Sequence, residues 1–83
     1  MKKRRPQLGL FDALAMGQRI KSRCKEKGLK PADVREAVGF ASVQAIYRWY
    51  RGEVIPEIEN LYLLSRLLGT TVDELLIIHE YPP

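Results

Sequence analysis

Within the run VREAVGFASVQAIYRWYRG, from Val34 to Gly52, five side chains have recognition chemistry to offer: Ser42, Val43, Gln44, Tyr47 and Arg48. Gln44 donates and accepts hydrogen bonds at once, and Arg48 carries a planar fork of donors, so both suit flat partners that display adjacent polar groups. Val43, Gln44, Tyr47 and Arg48 fall at i, i+1, i+4 and i+5, which places them on one side of a helix. Ile46 and Trp49, three residues apart, point to the opposite side and read as core. A helix lying in a DNA major groove reads base edges with such a face. Gln44 suits the N6/N7 edge of adenine, Arg48 suits O6/N7 of guanine, and Val43 suits a thymine methyl group. Ser42 divides its hydroxyl between capping the helix and DNA contact, while Tyr47 stacks on sugar or reaches a phosphate.

The elements that must position this face are legible from periodicity and punctuation. Val34, Ala37 and Val38 repeat as the apolar stripe of a preceding helix, and Gly39 permits the corner, which together make a helix-turn-helix. Upstream, Asp12 caps a first helix running to about Lys27, with Met16, Ile20 and Cys24 on its inner face and Gly28 as its stop. Pro31 opens the second helix, over about residues 31 to 38, and Asp33 complements its positive end. Ser42 caps the third helix, about nine residues long, which closes at Gly52 in a left-handed conformation. Ile58, Leu61, Leu64, Ser65 and Leu68 form the inward stripe of a fourth helix that ends at Gly69. Thr71-Val72-Asp73-Glu74 is a capping box for a fifth helix through Leu75, Leu76 and Ile78, ended by Tyr81-Pro82-Pro83. No strand pattern or repeat is visible, and the chain reads as all-α.

Composition narrows the function classes. Eighty-three residues supply one core, so residues 10–83 are expected to form a single domain behind a flexible basic arm at residues 1–9. A net charge of +4 and a pI near 9.5 favour polyanionic partners. The lone Cys24 allows no internal disulfide and, with His79 distant, no metal-ligand spacing, which points to a reduced cytoplasmic setting. No apolar run approaches the roughly 20 residues that cross a bilayer. Paired carboxylates, an activated nucleophile and a phosphate-cradling glycine loop are all missing, so neither an enzyme nor a cofactor is expected, and no small-molecule ligand is evident.

Gly17-Gln18-Arg19-Ile20-Lys21, Lys25-Glu26-Lys27-Gly28-Leu29, Gln44-Ala45-Ile46-Tyr47-Arg48-Trp49 and Pro56…Leu61…Leu68-Gly69…Val72-Asp73-Glu74-Leu75-Leu76 occur in one fixed order. In words and spacing the chain resembles the Xre-type helix-turn-helix family of phage lambda repressor and Cro, over about residues 16 to 78. The resemblance implies a compact five-helix lambda-repressor-like DNA-binding domain in which helices 2 and 3 form the reading unit. It also implies a dimer on double-stranded DNA, on a palindromic operator with half-sites one turn apart. Arg51 at the end of helix three and Lys30 before helix two are candidate phosphate contacts, and the backbone N–H groups around Gly52 to Ile55 resemble the family's phosphate-facing loop. Lys2, Lys3, Arg4 and Arg5 follow the DNA backbone, enter a minor groove, or merely solubilise the chain.

The chain departs from the family at three places. Pro31 stands where the family often has a phosphate-contacting Gln, and it offers no donor. Cys24 and Tyr50 occupy the positions of a common Arg–Glu pair; losing both partners together avoids the roughly 3–5 kcal/mol cost of stranding one buried charge. The corner between helices two and three is one residue longer than the common form, which rotates the reading helix slightly. A dimer surface is expected at Leu63, Leu67, Ile77 and Tyr81, with packing against Leu8 to Leu14 as the rival explanation for those residues. The function implied is a sequence-specific transcriptional regulator of the repressor type. The alternative is an antitoxin-type interaction module that binds a partner protein with or without DNA.

Overall fold

Asp12 sets where the first helix begins. Its carboxylate accepts the N–H of Ala15 at 2.9 Å, and α1 then runs Ala13–Glu26. The computed structural model, which describes residues 9–39 and 41–80, continues with α2 at Pro31–Ala37, α3 at Val43–Tyr50, α4 at Ile58–Leu68 and α5 at Val72–Leu75. Gly28 and Gly69 end α1 and α4 at φ +70° and +68°, a region that side-chain-bearing residues rarely enter. Pro31 sits in the first turn of α2, and the Asp33 carboxylate accepts the N–H of Lys30 at 2.9 Å. The helices enclose one core. Ile20 and Cys24 of α1 meet Val34 and Val38 beside α2, Ile46 and Trp49 of α3, Leu64 and Leu68 of α4, and Leu75 of α5.

The ends of the chain depart from the all-α expectation. Residues Gly9–Phe11 form β1 and Ile78–Glu80 form β2, paired antiparallel with Leu10 opposite His79 and Phe11 opposite Ile78. The Asp12 N–H extends this ladder by donating to the Ile77 carbonyl at 2.8 Å. The fifth helix is therefore a single turn. Thr71 caps it, accepting the Glu74 N–H at 3.2 Å, but Leu76 is already extended at ψ 135° and Ile78 belongs to the strand. Two adjacent β-branched residues, Ile77 and Ile78, favour that extended course. The expected terminator Tyr81-Pro82-Pro83 lies outside the described residues.

Side-chain placement corrects three further expectations and refines a fourth. Ala37 is exposed while Val34 and Val38 are fully buried, because α2 ends at Ala37 and Val38 turns inward as its cap. Gly39 has no positive φ, and a Cβ there would meet nothing within 4 Å, so the corner does not depend on glycine. Ile58 stands outside the inward stripe of α4, 69% exposed in its first position, whereas Leu61, Leu64, Ser65 and Leu68 are buried. Leu63 and Leu67, expected on an outer dimer surface, are half-buried and pack against the core. The exposed apolar residues of α4 are Ile58 and Tyr62.

Candidate nucleic-acid interface

The reading helix is held by what lies behind it. Gly17 of α1 faces the carbonyl end of α3 so closely that a Cβ there would stand 1.9 Å from the Trp49 carbonyl oxygen and 3.1 Å from that of Tyr50. Gly52, at φ +75°, brings the loop after α3 equally close to α1, where a Cβ would lie 2.6 Å from the Leu14 Cα. Two glycines thus let backbone meet backbone on either side of the junction. Between them, Trp49 is 3% exposed and Ile46 fully buried. The inner face of α3 therefore has no freedom to rotate without displacing main chain.

Its outer face is the opposite. Ser42 caps the helix by accepting the Ala45 N–H at 3.0 Å, and Val43 is half-buried beside it. Gln44 is exposed, as are Tyr47 at 46% and Arg48 at 55% of the side chain. The expected readers are thus brought together on one surface, with Val43 the most enclosed. The Tyr47 ring meets the edge of Tyr50 with centroids 6.3 Å apart and planes at 84°, a favourable T-shaped arrangement. The contact braces Tyr47 while nearly half of the residue stays exposed.

Glu53 was not singled out in the sequence, and it organises the cationic end of α3. Its carboxylate accepts from Arg51 Nε at 2.5 Å and lies 3.5 Å from Arg48 Nε, while its N–H donates to the Arg48 carbonyl at 2.9 Å. The bond to Arg51 holds the Glu53 carboxyl below the usual carboxylate range, with the nearby positive charges adding to it. The signal for this role is an acid two and five residues after the two arginines.

The expected phosphate contacts fare unevenly. Arg51 and Lys30 are exposed. The Gly52 N–H, expected to face a phosphate, is engaged instead, donating to the Trp49 carbonyl at 3.0 Å as the helix closes. Lys2, Lys3, Arg4 and Arg5 lie outside the described residues. So does Phe40, one residue of the longer corner. Cys24 and Tyr50, at the positions of the lost ion pair, contact each other at the junction. Burial raises both the Cys24 thiol and the Tyr50 hydroxyl above their ordinary ranges, so both groups stay protonated and neutral. Among the described residues there is no group of acidic, His and Cys side chains suited to a metal ion, and no helix is long and apolar enough to cross a membrane.

Comparison with known proteins agrees with this geometry. A helix-turn-helix family model matches residues 20–75. Repressor protein C2 of Salmonella phage P22 is 41% identical over 61 residues, covering 74% of this chain, which spans 28% of that protein's length. The solved P22 c2 repressor in complex with a synthetic operator superposes with a TM-score of 0.69 at 38% identity, over 86% of this chain and 96% of that one. SinR, a master regulator of biofilm formation solved in complex with DNA, matches with a TM-score of 0.65 at 31% identity, over 72% of this chain and 95% of that one. With most of its length covered by these matches, the chain belongs to the helix-turn-helix family, in the Xre-type, lambda-repressor-like branch.

Proposed function

We propose that this chain is a sequence-specific transcriptional regulator of the repressor type that reads double-stranded DNA with the outer face of α3. One observation carries the reading: a recognition surface of Gln44, Tyr47 and Arg48 stands exposed on a helix whose inner face is locked to α1 by backbone contact at Gly17. A helix about 10–12 Å across with its side chains enters a major groove about 12 Å wide. Locking such a helix from behind fixes which base pairs its side chains meet.

In this reading Gln44 engages adenine, Arg48 engages guanine, and Val43 and Ser42 contact bases near the N-terminus of the helix. Tyr47, Lys30 and Arg51 hold the sugar–phosphate backbone. Two copies on paired half-sites complete the site, and Ile58 and Tyr62 supply the exposed apolar surface of α4 for that pairing. The identity to the phage P22 repressor supports the regulator reading over the antitoxin-type one.

Selection of bound sequences from random duplex DNA tests the proposal. The expected result is an enriched palindrome, bound with an affinity that falls linearly with log salt, each neutralised phosphate adding about 0.9 to the slope. No enriched sequence, together with weak binding at low salt, overturns it.

A further inference from the structure

A cleft of about 660 Å³ opens between the second half of α1, the start of α2 and α3. Small-molecule sites commonly have volumes of about 300–1,000 Å³. Its floor is apolar and enclosed: Cys24 is 1% exposed, and Leu29, Pro31 and Tyr50 are half-buried. Its remaining walls include Lys21, Lys25, Lys30 and Arg51, and no carboxylate lines it. Arg51 is shared with Glu53, but the three lysines make no ion pair among the described residues. Cys24 and Tyr50 on this floor stay protonated, so the floor is neutral beneath its cationic rim.

An uncharged apolar molecule would cover this floor and leave the cations unanswered. A DNA phosphate would answer the cations and leave the floor open to water. We propose that the cleft binds a small organic anion, with an aromatic or aliphatic body against Cys24, Leu29 and Tyr50 and a carboxylate, sulfonate or phosphate at the lysines. Tyr47 of the reading helix also lines the cleft, as do the two phosphate candidates Lys30 and Arg51. Occupancy and duplex binding therefore compete. That consequence rests on the DNA-binding reading, whereas ligand binding itself does not.

Amide NMR titration of the full chain with 2-naphthoate tests the cleft, with naphthalene-2-methanol and inorganic phosphate as probes of each half of the chemistry. The expected result is saturable movement of the Cys24, Leu29 and Tyr50 signals by 2-naphthoate, with each control binding at least about tenfold more weakly. Cys24→Leu fills the floor and abolishes the effect. If that variant does not fold, the exposed pair Lys21→Glu with Lys25→Glu decides, weakening 2-naphthoate by about tenfold. Naphthoate that leaves these signals unmoved, or that binds no better than either control, overturns the proposal. Displacement of labelled duplex DNA by 2-naphthoate is read separately. Binding without displacement removes the competition and keeps the cleft, and a chain that binds naphthoate but no DNA sinks the regulator reading alone.

Discussion

The two faces of α3 differ in what holds them. On the inner face, Ile46 and Trp49 are buried, and the Trp49 carbonyl lies against Gly17 with no room for one extra carbon. On the outer face, Gln44, Tyr47 and Arg48 are exposed, and the polar contact to an Arg48 side-chain atom is the loose one to Glu53 at 3.5 Å. One face therefore determines stability and orientation, and the other is available to determine specificity. Substitutions should separate the two properties almost completely.

Trp49→Ala gives the largest expected effect, a loss of about 3–5 kcal/mol of folding stability read by denaturant titration. That is a large share of the roughly 5–15 kcal/mol typical of a whole domain. Gly17→Ala follows at about 1–3 kcal/mol or more, because a rigid backbone carbonyl rather than a flexible side chain must give way. If Gly17→Ala leaves both stability and DNA selection unchanged, the seat of α3 on α1 is not what orients it. On the other face, Gln44→Ala should leave the denaturation midpoint within about 0.5 kcal/mol. It should nevertheless cost about 1–3 kcal/mol of discrimination at one base pair, measured by competition binding.

Glu53→Gln sharpens the comparison from its boundary. The variant releases Arg51 and Arg48 from a carboxylate that competes with phosphates, so non-specific duplex affinity at low salt should rise while the denaturation midpoint hardly moves. The smallest effect concerns the chain ends. The Asp12 carboxyl is held below its ordinary value of 3.8, first by the Ala15 N–H and then by His79. A depressed carboxylate contributes stability above its unfolded value and loses that contribution as pH falls through the folded one. Asp12→Asn, which keeps a capping oxygen but does not ionise, should therefore flatten the fall in stability below pH 3.8, checked by thermal melts across that range.

How far the sequence disclosed these features follows the same division. The inner face was legible because burial repeats: Met16, Ile20 and Cys24 on α1, and Ile46 with Trp49 on α3, are periodic signals that reinforce one another. Caps at Asp12, Ser42 and Thr71 were legible because each acts within three residues. The strand pair was not, since three residues are too few to show alternation and their partners lie nearly the whole chain away. The half-burial of Leu63 and Leu67 was not legible, because a helix enclosed on several sides buries more than one stripe. Gly17 belongs to a short family-like segment of α1, yet its role depends on a carbonyl from another helix, which no local pattern contains. Glu53 escaped for a related reason: it bridges two cations already assigned to other work.

If the outer face of α3 reads bases while contributing little to the fold, Arg48→Ala separates the two properties most directly. Wild-type and variant proteins are compared by selection from random duplex DNA, with the denaturation midpoint of each measured in parallel. The expected result is an unchanged midpoint and a preference relaxed at one base position per half-site, with the remaining positions retained. An identical selected sequence, or a uniform loss across all positions with a fall in stability, contradicts it.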